Sequence, residues 1–417
     1  MVYDLALSAQ DSLQARVYFG DRQVTQHLGQ PLAVQAPVTA SGGVVDLDRG
    51  YGGIGLRWSR ETTLAAMPFV FSVGADMDRM KERRRGFLNN NGVTGDLKRN
   101  EDNTVENTDF YAQAEWRFAP QWNLLAGLRH SRVQFESRDY FIVAGNLDDS
   151  GSVRFARTTP AVGITYRVTP AANVYANWGK GFETPTFAEL AYRPPGVGAT
   201  GLNFALQPAD SVHREIGVKL LAGAASRFNA SLFRINVSNE IVVNSSDGGR
   251  TNFRNAAGTE REGLELLWES RIANSWTVLA AYTRLNARFA QSFVSSGGTV
   301  NAGNRLPGVP ANTLYGELVW RHAGSGFHAA IEGRRNAKVY TDDRNSEAAS
   351  GYTVWNVRAG FEQRSGAWRF GEFLRVDNAD NRGYIGSVIV AEANRRFYEP
   401  APGRSVMIGA QATLQFR

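Results

Sequence analysis

Cysteine is absent from all 417 residues of the chain. Its absence removes disulfide staples, thiolate metal sites and cysteine nucleophiles together. Long apolar runs are missing too: no stretch approaches the roughly 18 unbroken apolar residues that a membrane-crossing helix needs. The charge excess is small, +6 with a pI near 9.5. Such a balance favours anionic partners only weakly, and nucleic acid is not expected as a partner. The five histidines (His27, His130, His213, His322, His328) are scattered without ligand spacing, so no metal site is expected and no cofactor is called for. Met1-Val2-Tyr3-Asp4 has neither the basic stretch nor the apolar core of a signal peptide; a mature chain or a fragment is expected to start this way.

The chain is far too long for one ordinary soluble core, which makes several soluble domains the default expectation. A mean hydropathy of -0.32 also looks soluble. Transmembrane β-barrels score the same way, because only every second residue faces lipid. Local alternation shows strands, which a soluble sandwich shares, and the connections between them decide between the two. In the closing segment Val406, Ile408, Ala410, Ala412, Leu414 and Phe416 alternate with Met407, Gly409, Gln411, Thr413 and Gln415. That is a strand with one face in oil and the other in water. The pattern recurs in Phe110, Ala112, Ala114, Trp116 and Phe118, in Leu314, Gly316, Leu318 and Trp320, and in Trp355, Val357, Ala359 and Phe361.

About seventeen such segments can be read, each near the ten residues that cross a membrane when tilted. From the C-terminus backwards their links alternate between long and tight. The long ones are 378–403, 341–351, 290–310, 239–259, 181–209, 139–153 and 85–106. The tight ones include 363–366, 323–326, 272–274, 222–225, 169–171 and 119–121. A membrane barrel has this polarity and a soluble sandwich does not. Phe118, Trp122, Tyr166, Trp276, Trp320 and Trp368 crowd the tight-turn ends, as an interfacial girdle would. The expected fold is all-β, a transmembrane antiparallel β-barrel of about 16 to 17 strands. An odd count with residue 1 on the outer side suggests a miscount near Val2–Ala9 or missing strands, since bacterial barrels have even numbers.

Several motifs resemble the TonB-dependent receptors, ligand-gated transporters of the bacterial outer membrane. Gly179-Lys180-Gly181-Phe182-Glu183-Thr184-Pro185 with Glu189-Leu190 is similar to a family element that follows a barrel strand. Leu206-Gln207-Pro208-Ala209-Asp210 then Glu215-Ile216-Gly217, and Asn255-Ala256-Ala257-Gly258 then Gly263-Leu264-Glu265, resemble its next two signatures. Arg305-Leu306-Pro307-Gly308-Val309-Pro310 and Pro402-Gly403-Arg404 precede strands as in that family. Each is weak alone; the family's order from Gly179 to Phe416 makes them strong together.

The resemblance implies that residues 1–417 are part of a barrel of about 22 strands, with the family's N-terminal plug domain absent from the chain. It implies coupling to the TonB complex through that missing N-terminal part, in the full-length parent. It implies contact with the barrel assembly machinery through the last strand, although Arg417 follows the usual terminal aromatic, Phe416. The function implied is energy-coupled uptake of a scarce solute, most often a ferric siderophore. Cobalamin, a quinone cofactor or an oligosaccharide stay open, as does a plug-free diffusion porin. Haem receptors of the family carry Phe-Arg-Ala-Pro where this chain has Phe182-Glu183-Thr184-Pro185, which lowers haem as the ligand.

Candidate ligand-binding residues are basic and aromatic. The run Arg79 to Arg85 contains Arg83, Arg84 and Arg85; it is an electropositive vestibule for a carboxylate-rich metal chelate, a set of solvated loop charges, or a contact to lipopolysaccharide phosphates at the outer rim. Arg395 and Arg396 read the same way. Tyr192 and Arg193, beside Pro194-Pro195-Gly196, could face the lumen. Gly42-Gly43, Gly52-Gly53 and Gly248-Gly249 are loop or bulge residues, because no helix follows to make them a phosphate cradle. No catalytic residues are expected. His130 and Ser131 are adjacent on a strand, point to opposite faces and cannot form a catalytic pair. Asp148-Asp149 and Asp342-Asp343 are read as loop polarity.

Overall fold

The computed structural model describes residues 1–193, 202–247, 250–295 and 297–416. Among the described residues seventeen strands belong to one antiparallel sheet, in agreement with the period-two count. The chain divides into two compact units, Met1–Ile164 with Asn177–Val212 and Val237–Ala257, and Thr165–Ala176 with His213–Asn236 and Gly258–Arg417.

In the first unit β1 (Val2–Ala6), β2 (Asp11–His27), β3 (Val44–Leu64), β4 (Met67–Asn90), β5 (Val93–Ala119) and β6 (Trp122–Asp139) pair antiparallel in chain order. A short helix α1 (Leu32–Gln35) lies between β2 and β3. Next along the chain come β7 (Gly151–Thr169), β8 (Ala172–Glu183), helix α2 (Phe187–Leu190), β9 (Ala209–Ala222) and β10 (Ser226–Ser238), and each of these four strands has residues in both units. The hairpin β11 (Ile241–Asp247) and β12 (Arg250–Asn255) stands apart from the main sheet.

The second unit carries β13 (Gly258–Ala273) and β14 (Trp276–Phe289), then the small hairpin β15 (Phe293–Ser295) and β16 (Gly298–Val300). After β17 (Asn312–Arg321) and β18 (Phe327–Asn336) comes the pair β19 (Val339–Tyr340) and β20 (Ala348–Ala349). Following β21 (Tyr352–Ser365) and β22 (Trp368–Asp377), β23 (Ile385–Val388) and β24 (Tyr398–Pro400) pair in the last long connection, and β25 (Ser405–Leu414) closes the chain. The main ladder here runs β13, β14, β17, β18, β21, β22, β25. Four of the long connections are thus not bare loops; each folds a small hairpin of its own.

Register sorts side chains into an apolar outer face and a polar inner face. On β3 and β4 the outer row holds Ile54, Leu56 and Trp58 against Met77, Ala75 and Val73. The inner row of the same strands pairs Ser59 with Ser72, whose hydroxyls meet at 2.8 Å. Ile54 and Leu56 are half exposed, while Ser72, Glu82, Asn103 and Asp109 are buried. This inverts the usual interior, as a membrane barrel requires.

One expectation is corrected. Residues 85–106 are not a long loop: β4 and β5 continue through them and turn at Asn91 (φ 52°) and Gly92 (φ 94°). Asn-Gly with both residues at positive φ is the tight hairpin turn that matches strand twist. The period-two signal fades there because both faces of the hairpin lie beyond the apolar zone, and charges fill both. The other end of β4 makes a comparable turn with Ala65 (φ 52°) and Ala66 (φ 63°), residue types that occupy this region at a cost.

Candidate ligand site on the inner wall

Seventeen residues past the turn that starts β4, the run of arginines splits by strand period. Arg83 and Arg85 point outward, where they pair with Asp102 at 3.2 Å and with Asp46 at 2.7 Å. Both arginines are exposed, so these pairs are surface contacts of small worth. Arg84 points inward, in the row of Glu82 on β4 and of Arg99, Glu101 and Asn103 on β5. The same spacing of two that makes a strand divides what reads in sequence as one basic patch.

The inner row forms a connected charge cluster. Arg49 on β3 donates through Nε to Glu82 at 2.9 Å. Arg99 donates to Glu101 at 2.8 Å and through Nη2 to the carbonyl of Ala191 at 3.3 Å. The Asn103 amide bridges both carboxylates, at 3.1 Å from Glu101 and 3.4 Å from Glu82. Arg84 has no carboxylate within ion-pair reach among the described residues. Its Nη2 donates to the Tyr192 hydroxyl at 3.1 Å. The guanidinium carbons of Arg84 and Arg99 each lie 5.5 Å from the Tyr192 ring centre, a double cation–π arrangement.

The cluster holds three guanidinium groups and two carboxylates, and the surplus falls on Arg84. Burial, with the like charge of Arg99 next, pushes the Arg84 pKa down. Burial alone would raise Glu101; the charges of Arg99 and Arg84 overcome it and hold the carboxyl below the usual glutamate range. For Arg99, burial is likewise outweighed by Glu101, and its pKa rises. Glu101 and Glu82 act on Arg84 only through space, and a buried cation without a direct ion pair among the described residues is suited to receive an anion.

Tyr192 is delivered by the segment after β8. Its anchor is an apolar cluster of Phe135, Phe155, Phe187, Leu190, Leu202 and Leu206, all buried. Thr186 caps α2 in a reciprocal box with Glu189: the Glu189 N–H donates to Thr186 Oγ1 at 3.3 Å, and the Thr186 N–H to Glu189 Oε2 at 2.7 Å. Arg193 donates to the Leu202 carbonyl at 2.9 Å, which makes it a tie within the segment. Pro194, Pro195 and Gly196, like Gly248, Gly249 and Arg417, lie outside the described residues.

Most family-motif positions carry structure. Gly181 and Phe182 end β8, and Phe182 packs on the apolar cluster. Pro185, Leu190 and Pro208 are fully buried. Glu215 accepts from the Tyr175 hydroxyl. Gly263 lies under the Phe233 ring, so a Cβ there would collide with it. Glu265 lies on the inner row of β13, opposite Thr283. Pro310 precedes β17, the Arg404 N–H donates to Asn381 at 2.9 Å, and Phe416 is 89% exposed on the outer row.

In the second unit Arg395 pairs with Glu347 at 2.6 Å, while the Arg396 N–H donates to Asn394 at 3.0 Å. Arg395 and Arg396 therefore build loop structure in the last long connection. Arg49, Glu82, Arg99, Glu101 and Asn103 escaped the sequence reading. For all but Arg49, the signal that would have found them is a charged or amide side chain at every second residue, Glu82-x-Arg84 and Arg99-x-Glu101-x-Asn103.

The chain resembles known proteins along most of its length. The family model described as TonB dependent receptor-like, beta-barrel, matches residues 2–379. The metal-pseudopaline receptor CntO of Pseudomonas aeruginosa is 24% identical over 263 residues, 61% of this chain and 34% of that one. The probable TonB-dependent siderophore receptor PiuA of Acinetobacter baumannii is 24% identical over 275 residues, 62% of this chain and 35% of its own length. The chain thus spans about a third of the curated relatives it matches. The crystal structure of that PiuA superposes with a TM-score of 0.79 at 17% identity, covering 99% of this chain and 63% of the other. Receptors and transporters of this kind are not enzymes. The chain belongs to the TonB-dependent receptor β-barrel family, proteins of the outer membrane.

Proposed function

We propose that the protein is an energy-coupled outer-membrane receptor, or part of one, that takes up an anionic metal chelate of the ferric siderophore class. Residues 1–417 would supply barrel wall, and the plug and TonB contact would belong to the parent receptor. The observation that carries this reading is Arg84, a cation without a direct ion pair among the described residues, placed beside Tyr192 on the inner wall. A chelate whose oxygens keep negative charge gives that guanidinium the partner it lacks, and the ring offers a flat apolar face. Relatives named for a metal-pseudopaline and a siderophore support the ligand class. On the outer face, Arg79, Lys81, Arg83 and Arg85 would meet lipopolysaccharide phosphates above the apolar zone. Phe416, outward and exposed, would present the terminal aromatic to the assembly machinery.

The test is uptake of radioactive iron by iron-starved cells expressing the complete gene, offered as ferric hydroxamate, ferric catecholate or ferric citrate. One chelate should accumulate, accumulation should stop when the proton gradient is collapsed, and Arg84→Ala should cut initial uptake about tenfold, the worth of one charge-assisted hydrogen bond. Uptake that is indifferent to the gradient and equal for all small solutes would show a porin and end the receptor reading. Gradient-dependent uptake of cobalamin or an oligosaccharide alone would keep the receptor and end the iron assignment.

A further inference from the structure

The lipid-facing side of the second unit carries a carboxylate among apolar neighbours close to its tight-turn edge. Outward residues of β22 are Trp368, Phe370, Glu372, Leu374 and Val376, in register with Leu414, Ala412, Ala410, Ile408 and Val406 of β25. On the opposite flank Glu372 faces Phe361 of β21, and Leu374 faces Ala359. Glu372 is exposed and makes no ion pair or hydrogen bond among the described residues.

Its depth follows from strand geometry. Trp368, at the tight-turn end, marks the membrane boundary as an interfacial aromatic does. Four residues at about 3.3 Å, on a strand tilted about 40°, lift Glu372 roughly 10 Å above it, inside an apolar band about 25 Å tall. A bare carboxylate at that depth is costly unless it is neutralised, paired or drawn back toward the boundary.

Glu372 also sits in a groove. A cavity of about 460 Å³ opens on this face. The small side chains of Ala359 and Ala410 form its floor, and Phe327, Phe361, Leu374 and Ile408 form its walls. The lining is apolar except for the one carboxylate.

We propose that this groove is a site for a phospholipid with a primary ammonium headgroup, of the phosphatidylethanolamine type. An acyl chain lies along the alanine floor, and Glu372, angled toward the Trp368 level, is the counter-ion of the ammonium. Lipid is the medium already against this face, and a headgroup ammonium drawn roughly 5 Å into the apolar band would meet the carboxylate as it leans back toward the boundary. A second copy of the chain is a poorer occupant. The outward positions of β13, β14, β17, β18, β21, β22 and β25 at this depth hold no lysine or arginine. The inference is independent of which solute the barrel carries.

The test is native mass spectrometry of the protein expressed from its complete gene and equilibrated with vesicles of equal phosphatidylethanolamine and phosphatidylglycerol. The expected result is retention of phosphatidylethanolamine over phosphatidylglycerol by about fivefold, the size of one interfacial charge contact. Glu372→Gln, which keeps shape and sheet pairing, should bring the ratio to about one. Equal retention by the unaltered protein, or a preference that survives Glu372→Gln, would overturn the proposal. So would a Glu372-dependent dimer or protein complex that excludes the lipid.

Discussion

Replacing Glu332 by alanine is expected to destabilise the folded barrel by about 3 kcal/mol, because it takes a shared carboxylate from two partly buried cations at once. Glu332 stands on the inner row of β18 with its side chain 9% exposed. It accepts from Arg375 at 2.8 and 2.9 Å, from Arg358 at 2.5 Å and from Asn356 at 3.4 Å. Arg358 keeps Glu317 at 3.2 Å and Arg375 keeps Asp377 at 2.8 Å, so the loss is partial. The two guanidinium groups would then face each other across the vacated place. The comparison is Glu362→Ala. Its pair with Arg369 is equally short, 2.7 Å, but both side chains are more than half exposed, and such a pair contributes about 1 kcal/mol or less. Urea titration of the refolded protein in detergent, followed by the mobility shift of folded barrel on unheated gels, measures both. If the two variants lose the same stability, the inner-wall network is not a stabilising element.

Leu190→Ala is expected to release the segment that carries Tyr192 while leaving the sheet intact. Leu190 is fully buried, and α2 has four residues, too few to persist without packing. The apolar cluster must therefore hold the segment. Truncating one fully buried leucine costs about 2 to 5 kcal/mol, and here that cost falls on local docking. Cleavage of intact cells' receptor by chymotrypsin after Tyr192 should accelerate roughly 30-fold or more, as the open population rises with the lost free energy. Glu189→Ala, which removes half of the capping box, should give a smaller effect, about 1 kcal/mol. An unchanged cleavage rate in Leu190→Ala would mean that the cluster does not anchor Tyr192.

The strands were legible because lipid imposes a strict rule on their outer face. Ile54, Leu56 and Trp58, or Val406, Ile408 and Ala410, can only be apolar, so period two survives in the sequence. Tight turns and the aromatic ends at Trp276, Trp320 and Trp368 were legible for the same reason. Where β4 and β5 extend past the lipid, water meets both faces and the rule lapses; Arg83, Arg84 and Arg85 then read as one loop patch. The inner site was only half visible. Arg84 and Tyr192 were found as residue types, but their meeting is set by the packing of Leu190, Leu202 and Leu206, which no local pattern encodes. Glu372 was invisible for another reason: a single carboxylate in an alternating segment looks like the polar face until register shows which face it occupies.

The central claim is that this chain crosses the outer membrane with its long connections outside and its tight turns inside. Residues 1–417 contain no native cysteine, so one introduced here is the single thiol of this part of the protein. Ala393→Cys, in the long connection between β22 and β25, should react with a membrane-impermeant maleimide on intact cells. Ala367→Cys, in the tight turn between β21 and β22, should react only after the outer membrane is permeabilised. The reverse pattern, or equal labelling of both in intact cells, would contradict the assigned topology and with it the placement of Arg84, Tyr192 and Glu372.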